Sequence, residues 1–379
     1  MANVNDPLPD KSFAPPPPLR RAVPRPALVA RIEATLDGGL VLVSAPAGSG
    51  KTTALAEWAA ASRRVVAWLA VGPRDHDPLQ FATHLAAAVR PLAPGAVDAV
   101  LPTALRSAGS VGARAADAIL PVAHALAGAL FEAERSSVIV LDDVHELADA
   151  AHWAAIEAFI AERPPSITLI LAARSDPPLP LARWRLAGAL AEFREADLRL
   201  DRDVLTAVVA KVAGVALTGA QAAVLEARTE GWAAGVQAAA LALQGQPDVA
   251  AAVARFAGDH RFILDYLDAE VIDRQPPAVL AFLLDVAILD RMSPTLCDAV
   301  RAVPPGESAS WLDRLVRQDL FLQPLDDAGG WYRFHRLFAD RLRHRLERTA
   351  PDRAGPSYGV RISWTATAPK PSRVAPPAR

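Results

Sequence analysis

The chain has 379 residues, 52% of them hydrophobic, which allows two or three domains with separate cores and excludes disorder as a whole. Its 40 Lys and Arg against 42 Asp and Glu leave a net charge of −2, so no overall basic field marks it for nucleic acid. Cys297 stands alone, which excludes an intrachain disulfide and a cysteine-built zinc site and fits a reducing compartment.

Residues 1–24 are rich in proline and polar residues, and are expected to be disordered. They lack the apolar segment of a signal peptide, and no run of about 18 apolar residues is uninterrupted. The expectation is a cytoplasmic protein with no membrane partner. A short helix is predicted over Ala27–Leu36, then a buried strand over Leu40–Val43. The next residues, SAPAGSGKTT, are a glycine-rich loop that opens a helix at Lys51-Thr52. Strand, loop and helix in this order suit a phosphate-binding P-loop, whose backbone N–H groups and helix N-terminus face anionic oxygens. Ala45 stands where the usual pattern begins with glycine. The candidate nucleotide-binding run is Ala45, Pro46, Ala47, Gly48, Ser49, Gly50, Lys51, Thr52 and Thr53. Lys51 would reach the β- and γ-phosphates of ATP, and the Thr52 hydroxyl would sit on Mg²⁺. The chain has only four lysines, and one falls here, where a compact point charge suits phosphate.

A second strand is predicted at Val65–Leu69, then a helix capped by Asp77 with Pro78 in its first turn. Pro91–Ser110 reads as a loop and Ala113–Ala133 as a helix. Val138–Leu141 is a third strand, ending in Asp142-Asp143. This strand is expected beside the P-loop strand. Asp142 would then hold Mg²⁺, and Asp143 would orient or deprotonate the attacking water. Thr168–Ala172 is a fourth strand ending near Arg174, which could reach the γ-phosphate. A fifth strand is expected near Leu190–Arg194. Continuous apolar strands alternating with helices argue for a parallel sheet covered on both faces.

After about Leu200 the strand signals fade into a run of helices. Leu320–Pro324 and Trp331–Phe334 then flank a polar turn, a hairpin after helices that outlines a winged helix. Residues 348–379 are rich in Pro, Arg, Ser and Thr and are expected to be disordered. His145, close to Asp143, and His335, in WYRFHRLF, are read from their surroundings as structural.

On these residues the chain resembles the N-terminal portion of the large ATP-binding LuxR-type transcriptional regulators, of the STAND class of P-loop NTPases. The segments that carry the resemblance include LVSAPAGSGKTTALAEW (42–58), LILAARSDPPLPLARWRLAGALAEFREADLRL (169–200) and LVRQDLFLQPLDDAGGWYRFHRLFADRLR (315–343). The resemblance implies an α/β P-loop NTPase (AAA+/STAND-like) domain over 25–200, a helical lid over 201–258 and a winged-helix-like domain over 259–347. It implies that Arg25 contacts the nucleotide base or ribose and that His335 touches the ADP β-phosphate. ADP would hold a closed form, and ATP with an inducer would favour an open, self-associating one. The lid stretch Gly231-Trp232-Ala233-Ala234-Gly235 lacks the proline that such lids often carry near adenine. The resemblance stops near Glu347, without the helical-repeat sensor and helix-turn-helix of the family.

The leading functional expectation is a slow signalling ATPase, with DNA binding not expected. Two alternatives stand beside it. One is direct DNA contact through Arg333, Arg336, Arg341, Arg343 and Arg345. The other is a nucleotide-dependent interaction module that does not hydrolyse.

Overall fold

The structure is a computed structural model that describes residues 13–17, 22–37, 39–108, 115–133, 136–257, 260–326 and 330–349. The predicted disorder of 1–24 and 348–379 therefore lies mostly outside the described residues. The chain begins with α1 (Pro26–Glu33), whose proline falls in the first helical turn where its missing N–H is harmless. It continues through β1 (Leu40–Ser44), α2 (Lys51–Ala61), β2 (Val65–Ala70), α3 (Pro78–Val89), α4 (Pro94–Ala108), α5 (Ala115–Ala129) and β3 (Ser137–Asp142). Then follow α6 (Ala150–Glu162), β4 (Ile167–Ala173), α7 (Leu181–Leu186), β5 (Leu190–Phe193) and α8 (Glu195–Leu198).

β1 to β5 form one parallel sheet in the order β2-β3-β4-β1-β5. Side chains alternate between its faces. Leu40, Leu42, Leu69, Ile139, Leu169 and Leu171 pack against α3, α5 and α6 on one side. Val41, Val43, Trp68, Val140 and Ile170 pack against Leu28 and Ile32 of α1 and Leu55 and Trp58 of α2 on the other. Each such buried side chain contributes on the order of 2 kcal/mol. The strand bearing Asp142-Asp143 is not beside the P-loop strand, as expected from sequence, because β4 lies between them. All seven residues of β4 are buried, so its uninterrupted apolar run takes a central place.

The predicted loop at Pro91–Ser110 is instead largely α4. Pro94 fits its first turn, and Val97, Val100 and Leu101 at helical spacing face the core. That apolar face outweighs Pro102 in its interior. Asp77 does cap α3, accepting from the Gln80 N–H at 2.8 Å.

The second half is helical: α9 (Arg202–Ala213), α10 (Gly219–Thr229), α11 (Ala233–Leu243), α12 (Val249–Arg255), α13 (Arg261–Leu267), α14 (Pro277–Val286), α15 (Pro294–Arg301) and α16 (Glu307–Arg317). Sequence reading missed α12, which Asp248 caps through the Ala251 N–H. A π-helical turn, Asp268–Ile272, continues α13. The hairpin β6 (Leu322–Pro324) and β7 (Tyr332–Phe334) follows, then α17 (Arg336–Thr349). Met292 bridges to Tyr332 beside this hairpin, completing a winged-helix outline. One apolar core runs through this half, and it takes in Ala47 of the P-loop. Among the described residues no helix is long and apolar enough to cross a membrane.

Candidate functional site

The loop Ala45–Gly50 leaves β1 at its C-terminal end and turns through Gly48 (φ 72°) and Gly50 (φ 86°) into α2. Both glycines hold left-handed backbone that other residues adopt at a cost. Lys51 is buried, and its Nζ donates to the carbonyls of Ala45 (2.7 Å) and Pro46 (3.1 Å). Burial, more than the neighbouring charges, brings its pKa down to about 8. The Ser49 hydroxyl is buried with no hydrogen-bond partner. A buried orphan donor beside a lysine and a helix N-terminus is the arrangement a phosphate oxygen would complete.

Asp142 and Asp143 reach the same site from β3 although that strand is two places away in the sheet. The Thr52 hydroxyl faces the Asp142 carboxylate and acts to lower its pKa. Asp142 is buried, and desolvation first, then Asp143, raises its pKa to about 6. A buried carboxylate and a hydroxyl are hard oxygen donors, so the residues fit Mg²⁺, which keeps most of its water. Asp143 is in left-handed backbone (φ 58°), and its pKa is raised chiefly by burial. His145 lies against it, with Nδ1 3.7 Å from Asp143 Oδ1, and is mostly buried. Desolvation, then Arg174 and Lys51, lowers its pKa to about 3, so it is neutral.

Arg174 follows β4 and is held by Glu270 of the helical half, through the backbone O at 3.1 Å and Oε2 at 3.2 Å. Arg25 caps α1. Its N–H donates to Glu57 at 2.6 Å and its guanidinium to Leu198 O at 2.8 Å. That guanidinium lies 3.9 Å from where a Cβ on Gly50 would stand, so Arg25 does adjoin the loop. A mostly apolar cavity of 260 Å³ opens beside it, lined by Pro16, Pro17, Pro24, Thr52, Thr53 and Ala56 among others.

The helical half closes directly on the loop. Trp232 Nε1 donates to Ala47 O at 2.9 Å, and the Ala234 N–H to Gly48 O at 3.0 Å. A Cβ on Gly48 would stand 2.7 Å from both Ala234 Cβ and Tyr266 Oη. On its far side, Trp232 meets Phe321 and His335 edge-on, with centroids 5.3 and 5.6 Å apart. His335 is buried, its Nε2 is 3.0 Å from Thr229 O, and burial lowers its pKa. Its ring thus packs on Trp232, and Trp232 makes the bond to the loop. Asp319 joins the site from the turn between α16 and β6, accepting from the Ser44 hydroxyl at 3.1 Å. Trp232, Tyr266, Glu270 and Asp319 were not singled out as site residues from sequence. Each belongs to an ordinary helical or turn pattern, and no local signal points to the loop far away in the chain.

Residues 21–171 match the family model of the AAA ATPase domain, and residues 268–354 match that of the MalT winged helix domain. The chain is built like the N-terminal ATPase portion of a MalT-like regulator. It is 31% identical to the serine/threonine-protein kinase PknK of Mycobacterium tuberculosis over 357 residues, covering 92% of this chain and 31% of that one. It is also 31% identical to the HTH-type transcriptional regulator MalT of Yersinia enterocolitica over 333 residues, covering 87% of this chain and 36% of that one. The chain thus spans about a third of the length of these relatives. Among solved structures, the Walker-type ATPase of Pyrococcus abyssi shares the fold, with a TM-score of 0.56 at 12% identity over 86% of this chain and 98% of that one.

Proposed function

We propose that this MalT-like chain is a nucleotide-gated switch that binds Mg-ATP and Mg-ADP and hydrolyses slowly. The observation that carries the reading is where the two halves meet. The carbonyls of Ala47 and Gly48, in the middle of the P-loop, accept two of the bonds that attach the helical half. A loop that must reorganise around phosphates is thereby made the joint of the molecule, so ligand and closure are linked.

In this reading Lys51 leaves the Ala45 and Pro46 carbonyls for phosphate oxygens, and Ser49 gains a partner for its buried hydroxyl. Thr52 and Asp142 would hold Mg²⁺, which would supply positive charge against the phosphates. Asp143 orients a water, with neutral His145 beside it. Arg174 meets the terminal phosphate. Arg25 and the apolar cavity beside Thr52 and Thr53 receive ribose and base. His335 supports Trp232 from behind. Self-association in the ATP-bound form and response to an inducer belong to the same proposal. Relatives named for two outputs, a kinase and an HTH-type regulator, fit a shared switch unit.

Direct DNA contact is less well supported. Arg333 is paired with Glu230, Arg341 with Asp268, Arg343 with Asp290 and Arg345 with Asp273, which leaves these charges engaged within the protein.

The test is calorimetric titration of the wild type and Lys51→Ala with Mg-ATP and Mg-ADP. Two lost charge-assisted bonds at about 1.5 kcal/mol each predict weakening of roughly 100-fold or more. Equal binding by both proteins would remove the site assignment.

A further inference from the structure

Arg174 and Glu270 are 96 residues apart, yet both bonds donated by the guanidinium end on this one residue. The bond to the carboxylate, at 3.2 Å, is longer than the 2.7–2.9 Å usual for such pairs, and the other, at 3.1 Å, ends on the neutral Glu270 carbonyl. Lys51, Asp143 and Tyr266 all feel the Arg174 charge, which places it at the mouth of the P-loop.

Glu270 sits in the π-helical turn Asp268–Ile272. Such turns are strained insertions that recur at functional sites. The turn is pinned from its other side by α17. Arg341, itself buried, bonds Asp268 through Nε (2.8 Å) and Nη2 (2.5 Å), and Arg345 lies 2.8 Å from Asp273. Glu270 also pairs with Arg274 at 3.0 Å. Two separate groups of ion pairs therefore meet on this turn, Arg174 and Arg274 on Glu270, and Arg341 and Arg345 of the last described helix on Asp268 and Asp273. The guanidinium fork recognises carboxylate and phosphate with the same geometry.

We propose that Glu270 is a built-in stand-in for the terminal phosphate of a nucleoside triphosphate: Arg174 holds Glu270 while that phosphate is absent and exchanges it for the phosphate, freeing the π turn and its hold on α17. This rests on the P-loop being a nucleoside triphosphate site. A diphosphate leaves the Arg174–Glu270 pair in place. Glu270 thus opposes the triphosphate selectively, and the triphosphate loosens the Asp268–Ile272 segment by the same coupling.

The experiment titrates the full chain with Mg-AMP-PNP and with Mg-ADP, comparing wild type, Glu270→Gln, Arg174→Ala and the double variant. Glu270→Gln is expected to tighten Mg-AMP-PNP about 5- to 10-fold and to leave Mg-ADP within about twofold. In the Arg174→Ala background the same change should alter neither. Glu270→Asp, which keeps the charge but shortens its reach, should shift in the same direction by less. Hydrogen exchange of wild-type amides in 268–274 needs no variant, and should be faster with Mg-AMP-PNP than with Mg-ADP. Equal effects on both nucleotides, no effect on either, or an effect that survives loss of Arg174 would overturn the exchange while leaving the nucleotide site standing. A wild type that binds neither nucleotide removes both.

Discussion

The sheet half and the helical half differ in where they keep their strain. The sheet half is a parallel sheet covered on both faces by apolar side chains, and its one non-glycine residue with positive φ among those described is Asp143 in the candidate site. The helical half has four: Glu230, Ala302, Asp319 and Phe321. Three of them gather where that half meets the sheet half. Glu230 holds Arg333 next to Trp232, Asp319 bonds Ser44, and Phe321 packs on Trp232. Left-handed backbone costs a non-glycine residue about 1 kcal/mol or more. A joint assembled under strain, and closed on a loop designed to receive a ligand, can be released by modest binding energy. A body with two covered faces cannot.

The largest test of this contrast is Trp232→Ala. Removing a buried tryptophan costs about 3–5 kcal/mol, read as a lower urea midpoint. Here the loss also frees the Ala47 carbonyl and loosens the joint, so by linkage a nucleotide that releases the joint should bind at least as tightly as to the wild type. Trp58→Ala, equally buried under the sheet, should cost as much stability without exposing the helical half to limited proteolysis. If Trp232→Ala costs under about 1 kcal/mol, the joint is held elsewhere.

A smaller effect is expected at Arg333, which binds Glu230 through two bonds of 2.7 Å. Arg333→Ala strands a largely buried carboxylate and should cost about 1–2 kcal/mol. Arg90→Ala, which breaks an exposed pair with Asp98 within the sheet half, should cost under about 0.5 kcal/mol. Similar values in both places would erase the distinction between the joint and an ordinary surface.

The smallest effect is one of pH. Burial pushes the Asp319 carboxyl up to about 6, whereas the unfolded chain titrates near ~3.9. The folded state therefore takes up this proton first, and its contribution to stability rises as pH falls from about 7 towards about 4. Asp142, also at about 6, acts with the same sign. His335, lowered by burial, opposes both, since the unfolded chain takes its proton first. Comparing wild type with Asp319→Asn isolates the one group. The variant should be more stable near pH 7.5 by up to about 1 kcal/mol, and in urea titrations the gap should narrow through about pH 5 and close only near about pH 4. A gap that does not change with pH would show Asp319 to be an ordinary, hydrated carboxylate.

Much of the sheet half was legible. Its strands are short apolar runs, and the loop of Lys51 and Thr52 carries a spacing that only a few turns can satisfy. The end of β3 showed its acid pair for the same local reason. The order of strands was not legible, because β1, β3 and β4 are all fully buried apolar runs and no local pattern ranks one against another. Nor was α4 legible, since Pro94, Gly95 and Pro102 read as loop residues until Val97 and Leu101 find a core to face. In the helical half, the helices other than α12 were readable from period and caps. What they would touch was not.

The sequence by itself determined the chemistry on offer: a phosphate loop, a lysine, a hydroxyl, two carboxylates and an arginine at strand ends. These are local requirements of backbone and charge. Only the tertiary structure decided that Trp232, Glu270 and Asp319 converge on them. Their contacts join positions far apart in the chain, and such contacts exist only once the apolar core of the helical half has closed over Ala47.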